Sequence, residues 1–539
     1  MMPIQLNVST MLERAELLFP RKTVISRTLH QVHRLTYKEI GERTRRLSSM
    51  LAKLGVEPGD RVGTFGWNHH RHLEAYFAVP GLGAVIHMIN IRLSPEHIVY
   101  IINHAQDKVL LVDEDLLPLF EKLKDHLPTV KAYIVMSDST EVASSSLEPL
   151  YSYEALLAEG DPKFQFKKDI DEYSPAGLCF TSATTGNPKG VEYTHRALVL
   201  HSLAIGLADT LALSESDVCM PVVPMFHVNA WGLPYAATWF GSSQVLPGPR
   251  FTPEILAELI AGEKVTVTAG VPTIWLGLYN VLSQGRYDTG SLRAVVCGGS
   301  AAPVSLIRSY EDKLGIPFYH AYGMTETTPL VTVARLKSYQ ENLSREEQLE
   351  LRAKQGVLVP GLEMRVLGAN GDVKWDGQEM GELLLRGPWI AKEYYKDDTS
   401  AHVFDDGWLH TGDIATVDPE GFIKLVDRTK DLIKSGGEWI SSVDLENAII
   451  DHEAVFEAAV VAVPSEQWAE RPVACVVLKE EYKGRVAKED ILNFIAPKFP
   501  KWWLPDDVIF MDEIPKTSVG KFLKRKLREQ LKYHLTKPV

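Results

Sequence analysis

Cysteine is scarce in this chain. Four occur among 539 residues, at Cys179, Cys219, Cys297 and Cys475, and none forms a CxxC pair. Their wide spacing argues against a disulfide framework or a structural zinc site, and their apolar surroundings suit reduced, buried thiols in an intracellular protein. Long apolar runs are missing as well, so no transmembrane helix is expected. The opening segment, MMPIQLNVSTMLERAELLF, lacks the basic-then-apolar order of a signal peptide, which makes the expected location cytoplasmic. Basic charge is in deficit, with 57 Lys and Arg against 70 Asp and Glu and a net charge of −13. A nucleic-acid partner would want a basic footprint and is not expected. What remains is 45% hydrophobic and 24% charged, the composition of a globular protein long enough to bury a large core.

Short β-branched runs alternate with helical patterns over most of the length. Strands are expected at 108–113, 131–137, 177–182, 265–270 and 292–298, and helices at 37–54 and 195–211. Continuous apolar strands between helices mean sheets covered on both faces, hence an α/β class. The charged stretch 337–354 contains Ser344-x-x-Glu347, a capping-box pattern, and reads as an exposed helical insertion. A second, smaller α+β unit is expected at the C-terminal end, with strands at 457–464, 471–479 and 507–514 and a helix at 487–499. The joint falls in the charged segment Asp427–Leu432 (DRTKDL), giving units 1–426 and 433–539 with a linker at 427–432.

The most informative segment is Thr181–Gly190, TSATTGNPKG, expected between a strand and a helix. Successive N–H groups in such a loop can form an anion nest, with hydroxyls and the Lys189 ammonium as further donors to a polyphosphate. GxxxxGK[ST] is absent, so it is not a Walker A loop, and Gly520-Lys521 is followed by Phe522. A surface turn is the ordinary alternative for a Ser/Thr/Gly/Pro segment. His69, His70 and His72 lack a suitably spaced acidic or cysteine partner and read as structural.

Further segments go with that loop: Pro224–Trp231 (PMFHVNAW), Gly298–Pro303 (GGSAAP), Tyr322–Thr327 (YGMTET), Gly407–Asp413 (GWLHTGD), Lys434–Ser442 (KSGGEWISS) and Pro515–Lys526 (PKTSVGKFLKRK). Together they resemble the adenylate-forming superfamily over about residues 12–532, and within it the bacterial medium- and long-chain fatty acyl-CoA synthetases. The resemblance implies a large α/β domain of covered sheets with a β-barrel-like subdomain and a small mobile α+β cap. It also implies ATP, Mg²⁺ and CoA as cofactor and co-substrates, and a fatty acid as substrate.

Residue by residue, the resemblance implies that Thr181, Ser182, Thr184, Thr185, Gly186 and Lys189 hold phosphates, with Thr184 and Glu326 at Mg²⁺. Gly299, Ser300 and Ala301 form a wall of the adenine and acyl sites. Tyr322 and Gly323 face the adenine, Thr325 the α-phosphate, Asp413 the ribose, and Arg428 the ribose or phosphate. His227 lies beside the acyl pocket and Trp231 gates it. Lys434, Gly437 and Trp439 serve CoA after the cap turns about Lys430. Lys521 is the catalytic lysine of the first half-reaction, with Thr184, Glu326 and His227 beside it in the chemistry. Lys524, Arg525, Lys526 and Arg528 read as an ordinary solvated face. One departure stands out: the family loop usually reads TSGTTG, and Ala183 replaces the first glycine. At a positive φ an alanine there costs on the order of 1 kcal/mol.

Alternative readings are a short-chain, aryl or methylthio acid as substrate, acyl transfer to a carrier protein, luciferase-type oxidation, and a noncatalytic nucleotide- or acyl-adenylate-binding regulator. Relatives with such a tryptophan often form homodimers through the large domain; the residues themselves do not test this.

Overall fold

The computed structural model describes residues 2–141, 144–181, 186–435, 438–465, 467–516 and 522–535. Three sheets precede residue 430 and a fourth follows it. In the seven-stranded sheet, strands at 150–152, 132–136, 107–113, 61–65, 85–88 and 175–180 run parallel in that spatial order, and 190–194 closes the edge antiparallel. The nine-stranded sheet has a parallel centre, 318–323, 294–297, 267–270, 218–221, 243–246 and 23–27, flanked by antiparallel edges.

Helices Ser9–Leu18, Tyr37–Lys53, His70–Gly81 and Leu233–Phe240 fill the space between these two sheets. Their inward faces explain the sequence pattern. Tyr37–Lys53 buries Ile40, Leu47 and Leu51 and starts at a capping box in which Thr36 and Glu39 satisfy each other's backbone N–H groups. Further helices cover the outer faces, so both sheets are buried on both sides, as α/β layering requires. A six-stranded antiparallel sheet of residues 363–428 packs on the end of the nine-stranded one. This is the part expected to be barrel-like.

The final sheet, five-stranded and built from 433–510, carries helices Ser442–Ile450, Lys488–Ile495 and Lys524–Leu531. No helix among the described residues is long and apolar enough to cross a membrane.

Several expectations need correction. The 181–189 loop joins two antiparallel strands, Pro175–Phe180 and Gly190–Thr194, and the helix begins only at His195. The helix expected over 195–211 stops at Gly206, because Thr210 turns back to donate its hydroxyl to the carbonyls of Ala204, Ile205 and Leu207. The 345–353 helix has its capping box at Ser344 and Glu347, but it is not wholly exposed: Leu349 is fully buried in the outer core. The helix over 487–499 ends at Ile495 in a 3₁₀ turn containing Pro497, and the strand over 507–514 ends at Phe510.

The three histidines have structural partners: His69 contacts Asp113 at 2.7 Å, His70 contacts Ser26 at 2.9 Å, and His72 contacts Thr64 at 3.0 Å. Lys524 is also misread as solvated. Its side chain is only 12% exposed and lies 2.7 Å from Glu446.

Candidate active site

A cavity of about 760 Å³ opens where the C-terminal ends of the nine-stranded sheet meet the 181–189 loop and the six-stranded sheet. Part of its lining is apolar, with Ile205, Leu211, Val223, Leu233 and Ile274. The rest includes polar groups, Thr181, Lys189, Thr325, Glu326 and Arg428. A second cavity, about 1130 Å³, lies between the large unit and the small one and shares Gly299, Tyr322, Gly323 and Arg428 with the first. Ligands commonly bind outside the carboxyl ends of strands in such sheets.

Strand Phe318–Gly323 brings Tyr322 to the wall between the two cavities. The Tyr322 hydroxyl donates to Asp413 Oδ2 at 2.6 Å, and the Arg428 guanidinium sits 3.2 Å from Asp413 Oδ1. Asp413 and Arg428 reach this spot because they face each other across an antiparallel pair. Burial, then the Asp413 carboxylate, holds the Tyr322 hydroxyl well above its ordinary pKa, so it stays a donor. A carboxylate held this way still offers acceptor positions to a diol.

Gly323 marks a bulge at which a Cβ would lie 2.0 Å from the Pro329 carbonyl oxygen. That close approach turns the chain into Thr325-Glu326. The Tyr193 hydroxyl donates to the Thr325 carbonyl at 2.9 Å, and the Tyr394 hydroxyl donates to Glu326 Oε1 at 2.5 Å. Glu326 is therefore a buried, oriented carboxylate on a cavity wall. Among the described residues no group of three or more His, Cys, Asp or Glu could hold a metal. The donor set fits Mg²⁺ carried mainly on phosphate and water oxygens with one carboxylate, and not a protein cage.

Lys189 leaves the strand edge beside Thr181, whose N–H donates to the Lys189 carbonyl at 2.9 Å. Its ammonium bonds the Ser400 hydroxyl, lies 3.5 Å from Asp397, and sits 4.9 Å from the Tyr394 ring centre. Tyr394, Tyr193 and Ser400 carry no motif, and their partners Glu326, Thr325 and Lys189 lie 68, 132 and 211 residues away in sequence, which hides them.

His227 and Trp231 line the first cavity. Trp231 ends a turn in which Val228, Asn229, Ala230 and Trp231 all have positive φ, 45° to 59°, followed by Gly232 at 77°. Left-handed L-residues cost about 1–2 kcal/mol each, so surrounding packing must impose this turn. A Cβ on Gly298 would lie 2.9 Å from the Ala321 carbonyl oxygen and 3.0 Å from the Trp231 ring. Gly298→Ala is expected to displace Trp231 and lower stability by about 1–3 kcal/mol, read as an earlier urea midpoint.

Ser300, Ala301 and Asp413 line the second cavity. Gly186 is exposed and, among the cavity-lining residues, absent from both groups, as are Lys430, Lys434 and Trp439. Lys434 and Trp439 face each other across the hairpin 433–440, with the ammonium 4.8 Å from the ring centre. Trp439 is 41% exposed. Ser182, Ala183, Thr184, Thr185, Gly437 and Lys521 lie outside the described residues. The residue after Lys521, Phe522, lines the second cavity with Ser300, Tyr322, Asp413 and Arg428.

All four cysteines are buried and free. Burial pushes the Cys179, Cys219 and Cys475 thiols up to about 12 and Cys297 well above its ordinary value, which removes them as nucleophiles near neutrality.

Comparison with known proteins agrees with this geometry. Residues 12–395 match the AMP-binding enzyme family, and residues 444–521 match the AMP-binding enzyme C-terminal domain. A long-chain-fatty-acid–CoA ligase of Thermus thermophilus is 52% identical over 99% of this chain and 97% of its own length. A medium-chain-fatty-acid–CoA ligase of Ectopseudomonas oleovorans is 43% identical over 98% of this chain and 97% of its own. A 3-methylmercaptopropionyl-CoA ligase of Ruegeria lacuscaerulensis is also 43% identical, covering 99% of each. Among solved structures, the anthranilate CoA ligase AuaEII in complex with anthranoyl-AMP superposes with a TM-score of 0.87 at 26% identity, covering 99% of this chain and 98% of that one. By sequence over nearly its whole length, by fold and by the placement of its motifs, the chain belongs to the AMP-binding enzyme family.

Proposed function

We propose that this chain is an ATP-dependent ligase that activates a fatty acid as its acyl-adenylate, releasing pyrophosphate, and then passes the acyl group to CoA, releasing AMP. The observation that carries the reading is one cavity whose lining combines apolar side chains such as Ile205, Leu211 and Leu233 with His227, Trp231 and the polar Thr181, Lys189, Thr325, Glu326 and Arg428. An acyl chain buried there gains about 0.8 kcal/mol per CH₂. Its carboxylate then emerges beside Thr325 and Glu326.

The reaction needs no side-chain nucleophile. The substrate carboxylate attacks the α-phosphorus of ATP, and the CoA thiol later attacks the acyl carbon. Catalysis therefore consists of positioning and charge neutralisation. In this reading Tyr322 and Gly323 face the adenine, Asp413 accepts from the ribose, and Arg428 contacts ribose or phosphate. Thr181, Ser182, Thr185, Gly186, Lys189 and Thr325 donate to the phosphates. Thr184 and Glu326 would hold Mg²⁺, which would supply charge neutralisation at the phosphates, and Lys521 stabilises charge at the α-phosphorus. Gly299, Ser300 and Ala301 wall the adenine, His227 flanks the reacting carboxylate, and Trp231 gates the acyl end.

Residues 1–426 act as the large domain, 433–539 as the cap, and 427–432 as the linker with Lys430 as hinge. The groove position of Phe522 suits the first half-reaction, and the outward hairpin of Lys434 and Trp439 suits a second orientation that presents it, with Gly437, to CoA. We place the enzyme in the cytoplasm, where four buried thiols stay reduced.

A methylthio acid is the second reading, favoured by the equal 43% identity to the methylmercaptopropionyl relative. CoA-dependent AMP release across straight-chain acids of increasing length, with 3-methylmercaptopropionate included, separates the two. Turnover rising with chain length into the medium or long range supports the fatty-acid reading. A preference for the short thioether acid overturns it.

A further inference from the structure

The joint between the two units contains a buried ionic cluster that the reaction scheme above does not use. Asp427 lies near the end of strand Ile423–Arg428, which pairs within the six-stranded sheet of the large unit. Its Oδ2 accepts from the Ser442 N–H at 2.9 Å and from the Ser442 hydroxyl, while Ser442 opens the first helix of the small unit. The Lys524 ammonium reaches the Ser442 hydroxyl oxygen at 2.6 Å and Glu446 Oε1 at 2.7 Å. Ser441 donates to the Val426 carbonyl at 2.6 Å, Lys424 pairs with Asp444 at 2.9 Å, and Arg528 pairs with Asp431. Asp427 and Lys424 precede the hinge residue Lys430, while Ser442, Asp444, Glu446 and Lys524 follow it. Any turn of the cap about the linker must therefore break the contacts between the two sets. Lys524 is three residues from Lys521, so their Cα atoms lie within about 11 Å of each other.

We propose that Asp427, Ser442 and Lys524 form a latch that positions the cap, and Lys521 with it, for adenylate formation and that must open before thioester formation. This rests on the ligase reading above. The latch has a built-in asymmetry. Closed, it sets two buried carboxylates, Asp427 and Glu446, against one ammonium. Opened, Asp427 leaves with the large unit and Glu446 keeps Lys524 to itself.

Burial, opposed by Lys524, raises the Glu446 carboxyl to about 7, and burial raises Asp427 as well. The other groups facing Glu446 are the Val460 N–H, which donates at 2.7 Å, and the Cys475 thiol on the sheet beneath; nearby Glu457 is paired with Lys516 at 2.7 Å. The closed state thus binds more protons than the open one. Raising pH through about 7 favours opening, and lowering it favours the adenylate-forming orientation.

Two half-reactions measured separately on the full chain test this: acid-dependent ATP–pyrophosphate exchange, and CoA thioester formation from supplied acyl-adenylate. Ser442→Ala is expected to slow exchange about tenfold while leaving thioester formation within about twofold, as loss of charge-assisted hydrogen bonds in one orientation only requires. Ser442→Thr restores the exchange rate. Across pH 6 to 8, roughly the range that brackets the Glu446 titration, exchange in the parent falls relative to thioester formation, and Glu446→Gln flattens that trend. Equal losses in both half-reactions for Ser442→Ala, or the same pH trend in Glu446→Gln as in the parent, overturn the latch. A parent chain inactive in both half-reactions overturns the ligase reading instead.

Discussion

Lys521→Ala is expected to cut adenylate formation by about 10²–10³-fold or more, the scale of losing a donor aimed at developing charge in a closed site. Thioester formation from supplied acyl-adenylate is expected to stay within about twofold of the parent, because in the proposed mechanism that step does not use the lysine. Lys521 itself lies outside the described residues, but the residues that bracket its segment, Lys516 and Phe522, are placed. Lys516 and Phe522 pair as an isolated β-bridge, Lys516 is anchored to Glu457 at 2.7 Å, and Phe522 lines the groove with Tyr322 and Asp413. Measuring pyrophosphate exchange and thioester formation on one preparation gives both numbers. An intact first half-reaction removes Lys521 from the mechanism.

Lys430→Pro is expected to act in the opposite sense. Fixing φ at this residue, and restricting Thr429 before it, stiffens the segment about which the cap is proposed to turn. Turns already form around it, with the Asp431 and Leu432 N–H groups both bonded to the Arg428 carbonyl and the Thr429 N–H bonded to the Gly412 carbonyl. Thioester formation should drop at least about tenfold while exchange changes by no more than about threefold, the pattern of a gating step and not of lost chemistry. Equal effects on the two half-reactions contradict rotation about this linker.

How much of this was legible in sequence depended on how local the determinants were. The YGMTET and GWLHTGD segments could be read because each packs its chemistry into consecutive residues. The structure joins them through the Tyr322–Asp413 hydrogen bond, which spans 91 residues. Tyr394 was not legible: its hydroxyl holds Glu326 from 68 residues away, and an aromatic pair in KEYYKD announces nothing.

Lys524 was misread for a related reason. A basic run on an amphipathic helix normally faces water, and only the packing of that helix on the cap sheet turns one of its lysines towards Glu446 and Ser442. The 181–189 loop was recognised for its donors but put in the wrong context, because the five-residue strand Gly190–Thr194 is too short to stand out before the helix that follows. The layered α/β class was legible because strands buried on both faces must be continuously apolar. Strand and helix ends were set by single contacts, such as Thr210 closing the helix that ends at Gly206.

The central claim is that the polar groups lining the cavity join a carboxylate to the α-phosphate of ATP. Acid-dependent exchange of labelled pyrophosphate into ATP, with Mg²⁺ present and CoA absent, tests it most directly. Exchange is expected to require a fatty acid, to stop when Mg²⁺ is chelated, and to be lost in Lys521→Ala. Exchange that proceeds equally without any acid, or nucleotide binding with no exchange for any acid, contradicts it.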